Sequence, residues 1–497
     1  MRKIMLLAAF VGAFSFSSKA QQVEVPVDTA ITSSHQVNIK GERVSYTATT
    51  GFQPVWDNEG VPIASLYYTY YQRSGGGDSS TRPLVISFNG GPGSASVWMH
   101  LAYSGPRVLK IDEEGFPVQP YGVQANPHSI LDVADIVYVN PVNTGYSRML
   151  PGKDGQMPNR SQFFGVNADI QYLAEWVNTF VTRNDKWLAP KYLIGESYGT
   201  TRVAGLAHEL QNNQWMYLNG VILLSPTDMG IERDGPVEVA NRLPYFTAAA
   251  WYHNALPPDL QQRELEELLP EVEEYAINEL LPALVKGGYL EDAKRDEVIS
   301  QMAYYSGISE KAIRQNNLEV PFRFFWKELL RDESGFTVGR LDSRYLGLDL
   351  KESGDSPDYN AELTSWLHSF TPAINHYIKN ELGFETDLKY NMFGPVHPWD
   401  RSRNNTGHQL SRAMAQNPNL HVLVQSGYFD GATTYFNAKY SMWQMDPSGK
   451  MRDRLDFKGY LSGHMMYLRA EDLKNANEDL RQFILRTIPE EGAPAKY

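Results

Sequence analysis

Cysteine is absent from all 497 residues. That excludes disulfide bonds, thiolate metal ligands, thiol nucleophiles and a lipidated N-terminal cysteine. A large exported chain without cysteine must rely on its core alone, which fits a bacterial envelope better than a eukaryotic secretory pathway. Basic charge is also short. The chain has 45 lysines and arginines against 58 aspartates and glutamates, a formal net charge of -13, and no basic run offsets it. A polyanionic partner such as nucleic acid is not expected. Internal repeats and long low-complexity tracts are missing. So are HExxH or any other metal-ligand spacing and the Lys-Ser/Thr that completes a phosphate loop, so no metal or cofactor is expected.

Long apolar runs are missing too, except at the start. In "MRKIMLLAAFVGAFSFSSKAQQ", Arg2 and Lys3 precede an apolar stretch from Ile4 to Phe16, and small residues end at Ala20. That is the pattern of a secretory signal peptide over residues 1–20, cleaved after Ala20. The stretch falls short of the roughly 20 residues a bilayer span needs. The expected location is periplasmic or extracellular, with no membrane segment after cleavage.

What is present is a core: 42% of the residues are hydrophobic, enough to bury a large interior. From His35 to Gln72 residues alternate in the β manner. "LVISFNGGPG", "DIVYVNP", "YLIG" and "GVILLSP" are short continuous apolar runs, the pattern of strands buried on both faces. Ile170, Leu173, Val177 and Phe180 repeat at helical spacing between two of them. Strands alternating with helices predict an α/β fold with a mostly parallel sheet covered by helices. Residues 231–391 read as helical and acidic, with Asp259 and Gln262 placed to close a capping box, and strand character resumes at 420. The expected organisation is a core over 35–230, a helical cap insertion over 231–391 and a second core part over 392–489.

The chemistry starts at Gly195-Glu196-Ser197-Tyr198-Gly199. A serine between two glycines, after a strand and before a helix, is a nucleophile elbow. The turn is so sharp that flanking side chains would strike neighbouring backbone. A serine hydroxyl needs a base, and the base needs an orienting carboxylate. On an α/β-hydrolase scaffold these follow in the order serine, acid, histidine. Asp430 follows the strand "HVLVQSG", and His464 follows a glycine in "LSGHMMY". His421 sits within a strand, and His253, His368 and His376 lie in the insertion. His208 is on the helix after the elbow, and His397 and His408 precede Asp430. The expected triad is Ser197, Asp430 and His464. "NGGPGSASVW" follows the first buried strand, where a second oxyanion donor is found, so the N–H groups of Gly91 and Tyr198 are the expected pair. Tyr245, Phe246, Trp251 and Tyr252 could line a pocket, although clustered aromatics are more often core.

"FNGGPGSAS", "NPVNTGYS", "GESYG", "SGYFDGATTY" and "SGHMMY", in this order, resemble the blocks of the serine carboxypeptidases. The resemblance runs from about residue 40 to near the C-terminus and looks like a cysteine-free bacterial branch. It implies release of single residues from peptides with a free C-terminus, whose carboxylate is held by Asn89, the Gly90 N–H and a protonated Glu196. The sequence departs from the family at two places. Tyr103 stands where many members carry a second glutamate, so a weaker or shifted acid preference is expected, with the Tyr103 hydroxyl as a partner for Glu196. "SGHMMYLR" lacks the proline usual after the histidine. Two other readings stay open: an esterase or other acyl hydrolase using the same triad without a carboxylate anchor, and a non-catalytic binding protein on a hydrolase scaffold.

Overall fold

The computed structural model describes residues 23–497 apart from 76, 491, 493 and 495. Residues 1–20, the expected signal peptide, lie outside the described residues. The alternating N-terminal residues form β1 (Ala30–Ile39), β2 (Glu42–Trp56) and β3 (Pro62–Arg73), an antiparallel meander starting at Ala30 rather than His35. The apolar runs become β4 (Leu84–Phe88), β5 (Asp135–Val139), β6 (Lys191–Glu196) and β7 (Gly220–Leu224), in which every residue is buried. β8 (His421–Gly427) and β9 (Leu455–Tyr460) complete the set.

These strands lie in one sheet in the order β1-β2-β3-β5-β4-β6-β7-β8-β9, and the short strand Arg148–Met149 pairs with β3 as the tenth member. β3 meets β5 antiparallel, and from β5 to β9 every pairing is parallel. Parallel neighbours need crossover connections, and helices supply them. These include α1 (Val97–Ala102), α2 (Val166–Arg183) and α3 (Tyr198–Asn213). Alternate strand residues feed two apolar layers. Val85, Tyr192, Ile194 and Ile222 point to one face, and Leu84, Ile86, Leu193 and Val221 to the other.

Between β7 and β8 the chain adds no strand to the sheet. Helices α4 (Leu243–Tyr252), α5 (Leu265–Tyr275), α6 (Asp292–Ser306) and α7 (Phe322–Glu328) bury their own cluster, which runs from Ala240 to Val338. Two expectations for this region change. The capping box does not form: Pro257 precedes a single turn, Pro258–Gln261, and Asp259 instead accepts a hydrogen bond from the Tyr304 hydroxyl. The later part of the insertion also packs elsewhere. α8 (Ala361–His376) places Trp366, Phe370, Ala373 and Ile374 in the apolar layer against the sheet, not in the cap's own cluster. α9 (Thr406–Gln416) and the C-terminal α10 (Ala470–Thr487) then cover the two faces. Among the described residues no helix is long and apolar enough to cross a membrane.

The sequence-predicted site residues all lie at or just beyond the C-terminal ends of parallel strands, with Glu196 the last residue of β6. Asn89 follows β4, Ser197 follows β6, Asp430 comes soon after β8 and His464 soon after β9. That edge is where open α/β sheets bind ligands, because the loops there converge on one crevice.

Candidate active site

Ser197 adopts φ 57° and ψ -126°, a conformation a residue with a side chain holds only when its surroundings impose it. Its N–H donates to the Leu224 carbonyl of β7 at 2.9 Å, and its own carbonyl accepts from Thr200. The flanking glycines are steric necessities. A Cβ at Gly195 would collide with the Gly199 carbonyl, and one at Gly199 would lie 2.6 Å from the Phe88 carbonyl. The elbow therefore closes only because β4, β6 and the start of α3 approach each other where no side chains intervene.

His464 Nδ1 lies 2.7 Å from Asp430 Oδ2. Asp430 is fully buried and saturated with donors. Its Oδ1 accepts the N–H groups of Ala432 (2.8 Å) and Thr433 (3.1 Å), and its Oδ2 also accepts the Thr433 hydroxyl at 2.6 Å. Burial works against a charged imidazole at His464. The charge of Asp430 and its hydrogen bond outweigh that, so the His464 pKa lies above the ordinary histidine value. Ser197 and His464 line one cleft of about 190 Å³. Among the described residues no hydrogen bond joins the Ser197 hydroxyl to the imidazole, a contact that commonly tightens only with substrate in place.

A segment returning from the cap holds both loops. The Arg340 carbonyl accepts the Gly431 N–H at 3.0 Å, and the Leu341 carbonyl accepts the His464 N–H at 2.7 Å. The Ser343 N–H donates to the Phe429 carbonyl. Inside this segment, Asp342 and Arg344 form a buried ion pair at 2.6 Å, and Arg344 also reaches Ser462. Asp430 and His464 are thus tied to each other through the cap as well as through their own hydrogen bond.

The glycine loop lies against the elbow. A Cβ on Gly90 would stand 2.5 Å from the Tyr198 nitrogen, and Gly91 has φ 105°, which favours glycine. Among the described residues the N–H groups of Gly90, Gly91 and Tyr198 have no acceptor, and Gly90 and Gly91 line the cleft beside Ser197. The loop is clamped from behind by Arg202 on α3, which is fully buried. Its guanidinium donates to the carbonyls of Asn89 (2.6 Å) and Pro92 (3.3 Å) and pairs with Asp169 of α2 at 2.7 Å. Asp169 also accepts from Tyr172, whose oxygen receives the Val142 N–H.

Glu196 is buried, at 3% exposure, yet borders the cleft. Its Oε2 accepts a hydrogen bond from the Tyr467 hydroxyl. The expected partner, Tyr103, faces elsewhere. Its hydroxyl donates to Gln425 at 2.7 Å, while its ring stacks on Tyr467 with centroids 4.9 Å apart. The hydroxyl that meets Glu196 therefore comes from the stretch where the sequence departs from the histidine block. Burial pushes the Glu196 carboxyl up to about 7, against the opposing influence of the His464 charge and the Tyr467 hydrogen bond. A second carboxylate is not required for that rise. Asn89 is fully buried. Its Oδ1 accepts the Met99 N–H, but its Nδ2 has no acceptor among the described residues. A buried amide donor left unpaired costs free energy that an incoming acceptor would recover.

The apolar walls of the cleft are Trp98, Leu341, Leu363, Trp366, Phe393 and Met465. The four cap aromatics that could have lined a pocket lie outside it. Tyr245 and Phe246 are buried in the cap cluster, Trp251 packs at its border, and Tyr252 packs on a smaller cluster against Phe429. Tyr245 and Phe246 belong to the cap's interior because a helical layer this size needs an apolar core of its own.

Residues 39–279 match the family model described as serine carboxypeptidase. Over that stretch the chain is similar to the serine carboxypeptidases. It is 27% identical over 200 residues to serine carboxypeptidase-like 19 of Arabidopsis thaliana, covering 39% of this chain and 40% of that protein. It is 26% identical over 195 residues to the lysosomal protective protein of Mus musculus, covering 39% and 36%. The chain therefore spans well under two thirds of the length of these curated relatives. Its fold is similar to that of Kex1(delta)P, a prohormone-processing carboxypeptidase from Saccharomyces cerevisiae. The TM-score is 0.52 at 12% identity, over 90% of this chain and 93% of that one. The serine carboxypeptidase match includes the glycine loop and the elbow, whereas Asp430 and His464 lie beyond it.

Sequence reasoning missed Thr433, Tyr467 and the Arg202–Asp169 clamp. Thr433 is three residues from Asp430 and was visible in "DGATTY" as a hydroxyl near the acid. Tyr467 stood in plain view three residues after His464, but nothing in sequence spacing indicates that its hydroxyl crosses to residue 196.

Proposed function

We propose that this serine carboxypeptidase relative is an exported peptidase that releases C-terminal amino acids from peptides bearing a free carboxylate. Ser197 attacks the last peptide carbonyl, and His464 takes its proton and returns it to the leaving amine. Asp430 holds the imidazole, and an acyl-enzyme is then hydrolysed. The N–H groups of Gly91 and Tyr198 receive the oxyanion. The Gly90 N–H, the Asn89 amide and protonated Glu196 receive the substrate's terminal carboxylate. The observation that carries the reading is Glu196, a buried carboxyl beside the nucleophile whose burial raises it to about 7. A carboxylic acid donates a hydrogen bond to a carboxylate; an ionised one repels it. Residues 1–20 are the export signal in this reading.

The sign of the pH dependence follows. Below about 7 Glu196 is protonated and holds the substrate. As pH rises through about 7 it ionises, and binding of a free-acid peptide is lost. On the acid side, His464 must be neutral to act as a base, and its raised pKa places that limb above the ordinary histidine range. The expected kcat/KM profile is a narrow bell near neutrality. Above its maximum, activity on a blocked dipeptide should fall roughly tenfold per pH unit, largely through KM. Glu196→Gln should flatten that alkaline limb. A constant KM from pH 6 to 8.5 in the wild type would remove the protonated-carboxyl reading.

The class itself is tested by mass spectrometry of a peptide incubated with the enzyme as free acid and as C-terminal amide. Stepwise loss from the free acid alone is expected. Equal cleavage of both, or hydrolysis of simple esters only, would favour an acyl hydrolase without a carboxylate anchor.

A further inference from the structure

The triad, the oxyanion donors and the carboxylate anchor leave one charged group in the cleft unused. Arg340 lines it with Ser197, Glu196 and His464, on the opposite side from the glycine loop in sequence, in the segment returning from the cap. Its backbone is fixed, because its own carbonyl accepts from Gly431 and the next carbonyl accepts from His464. Its side chain is exposed and unpaired. No carboxylate among the described residues lies within 4.0 Å of the guanidinium, whereas its neighbours in sequence, Arg331 and Arg344, pair with Glu328 and Asp342.

Other acids nearby form no ion pair with it. Glu362 of α8 is buried, and its Oε1 accepts the Leu341 N–H at 2.9 Å. Its Oε2 has no partner among the described residues. Burial raises its carboxyl to about 7, and the Arg340 charge opposes that rise without an ion pair forming. Asp342 is taken by Arg344, Asp430 by His464 and Thr433, and Glu196 by Tyr467. The Arg340 charge nonetheless reaches the site, since it opposes protonation of His464. Apart from Ser94, the other side chains of the wall are apolar. A lone guanidinium, anchored through its backbone on apolar surroundings a short way from the reacting serine, is a receptor for a planar anion.

From this placement we infer that Arg340 is a specificity-determining residue that selects peptides with an acidic side chain, glutamate or aspartate, at one of the two positions flanking the scissile bond. The inference rests on the peptidase reading above, in which the terminal carboxylate itself is held on the other side by Asn89, Gly90 and Glu196. An exposed charge-assisted pair is worth roughly a tenfold preference over the neutral amide isostere.

The test separates the two readings because it measures binding without turnover. Ser197→Ala protein is titrated calorimetrically at pH 6 with acetyl-Glu-Ala, acetyl-Gln-Ala, acetyl-Ala-Glu and acetyl-Ala-Gln. The expected result is a roughly tenfold Glu-over-Gln preference in Kd at one position. Arg340→Met should bring the ratio to about one, Arg340→Lys should keep part of it, and Arg340→Glu should favour lysine at that position. A ratio near one in the parent, or one that survives Arg340→Met, overturns the inference. So does an equal weakening of all four peptides by Arg340→Met, which would assign the guanidinium to the terminal carboxylate. If active enzyme hydrolyses none of the four while the Arg340-dependent ratio persists, the peptidase reading fails and the acidic-side-chain receptor stands.

Discussion

Replacing Ser197 with alanine should lower kcat/KM on a blocked dipeptide ~10,000-fold or more, and a fluorophosphonate should no longer label the protein. Asp430→Asn should cost nearly as much, for a reason specific to this site. Both oxygens of Asp430 face donors. Oδ1 receives two backbone N–H groups, which cannot turn round, while Oδ2 faces the Thr433 hydroxyl and His464 Nδ1. The asparagine amide must therefore point its NH2 at the histidine side. His464 then has to accept at Nδ1 and carry its proton on Nε2, the nitrogen that should receive the serine proton. The fold survives but the base is in the wrong tautomer. The Ser197→Ala/Asp430→Asn double variant should be no worse than Ser197→Ala alone, since the residues act as one unit. Strictly additive losses, or a Ser197→Ala enzyme retaining a tenth of its activity, would leave the hydrolysis to other groups.

The second large effect is on stability. Arg202→Met should destabilise the protein by about 3–5 kcal/mol in urea unfolding, because it strands Asp169 as an uncompensated buried charge. It also leaves the Asn89 and Pro92 carbonyls without their donor. Burial already works to raise the Asp169 carboxyl, and Arg202 is what opposes it. Arg202→Met combined with Asp169→Leu should cost less than the sum of the single changes, because the second removes the stranded charge. Any folded Arg202→Met protein should also turn over slowly, since the same guanidinium positions the loop bearing the Gly90 and Gly91 N–H groups. An unfolding midpoint unchanged from the wild type would show that the clamp is dispensable.

How much of this could be read from the chain depends on how each residue is constrained. The elbow was legible because its geometry forbids side chains on either side of Ser197, and that prohibition is written locally as glycine. Asp430 and His464 were legible because strand and loop order leaves few acids and histidines in position. The fold class followed from apolar runs separated by one helical repeat. The α8 stretch was misplaced because a helix shows its apolar face in sequence but not which layer receives it. Tyr103 was matched to Glu196 by its offset from the glycine loop, yet an offset does not give the direction of a side chain. The true partner, Tyr467, is separated from Glu196 by 271 residues. Arg340 carries no motif, and only its exposure beside Ser197 in the folded chain makes it noticeable.

The strap formed by residues 340–343 has a consequence for how substrate reaches the serine. A roof hinged at the two junctions of the insertion would have to break the bonds to Gly431, Phe429 and His464 each time it swung open, pulling apart the proposed triad at every opening. Traffic is better carried by the rim, where Phe393 is half exposed and can rotate without disturbing backbone. Product exit should then depend on the bulk of one aromatic ring and hardly at all on hinge residues.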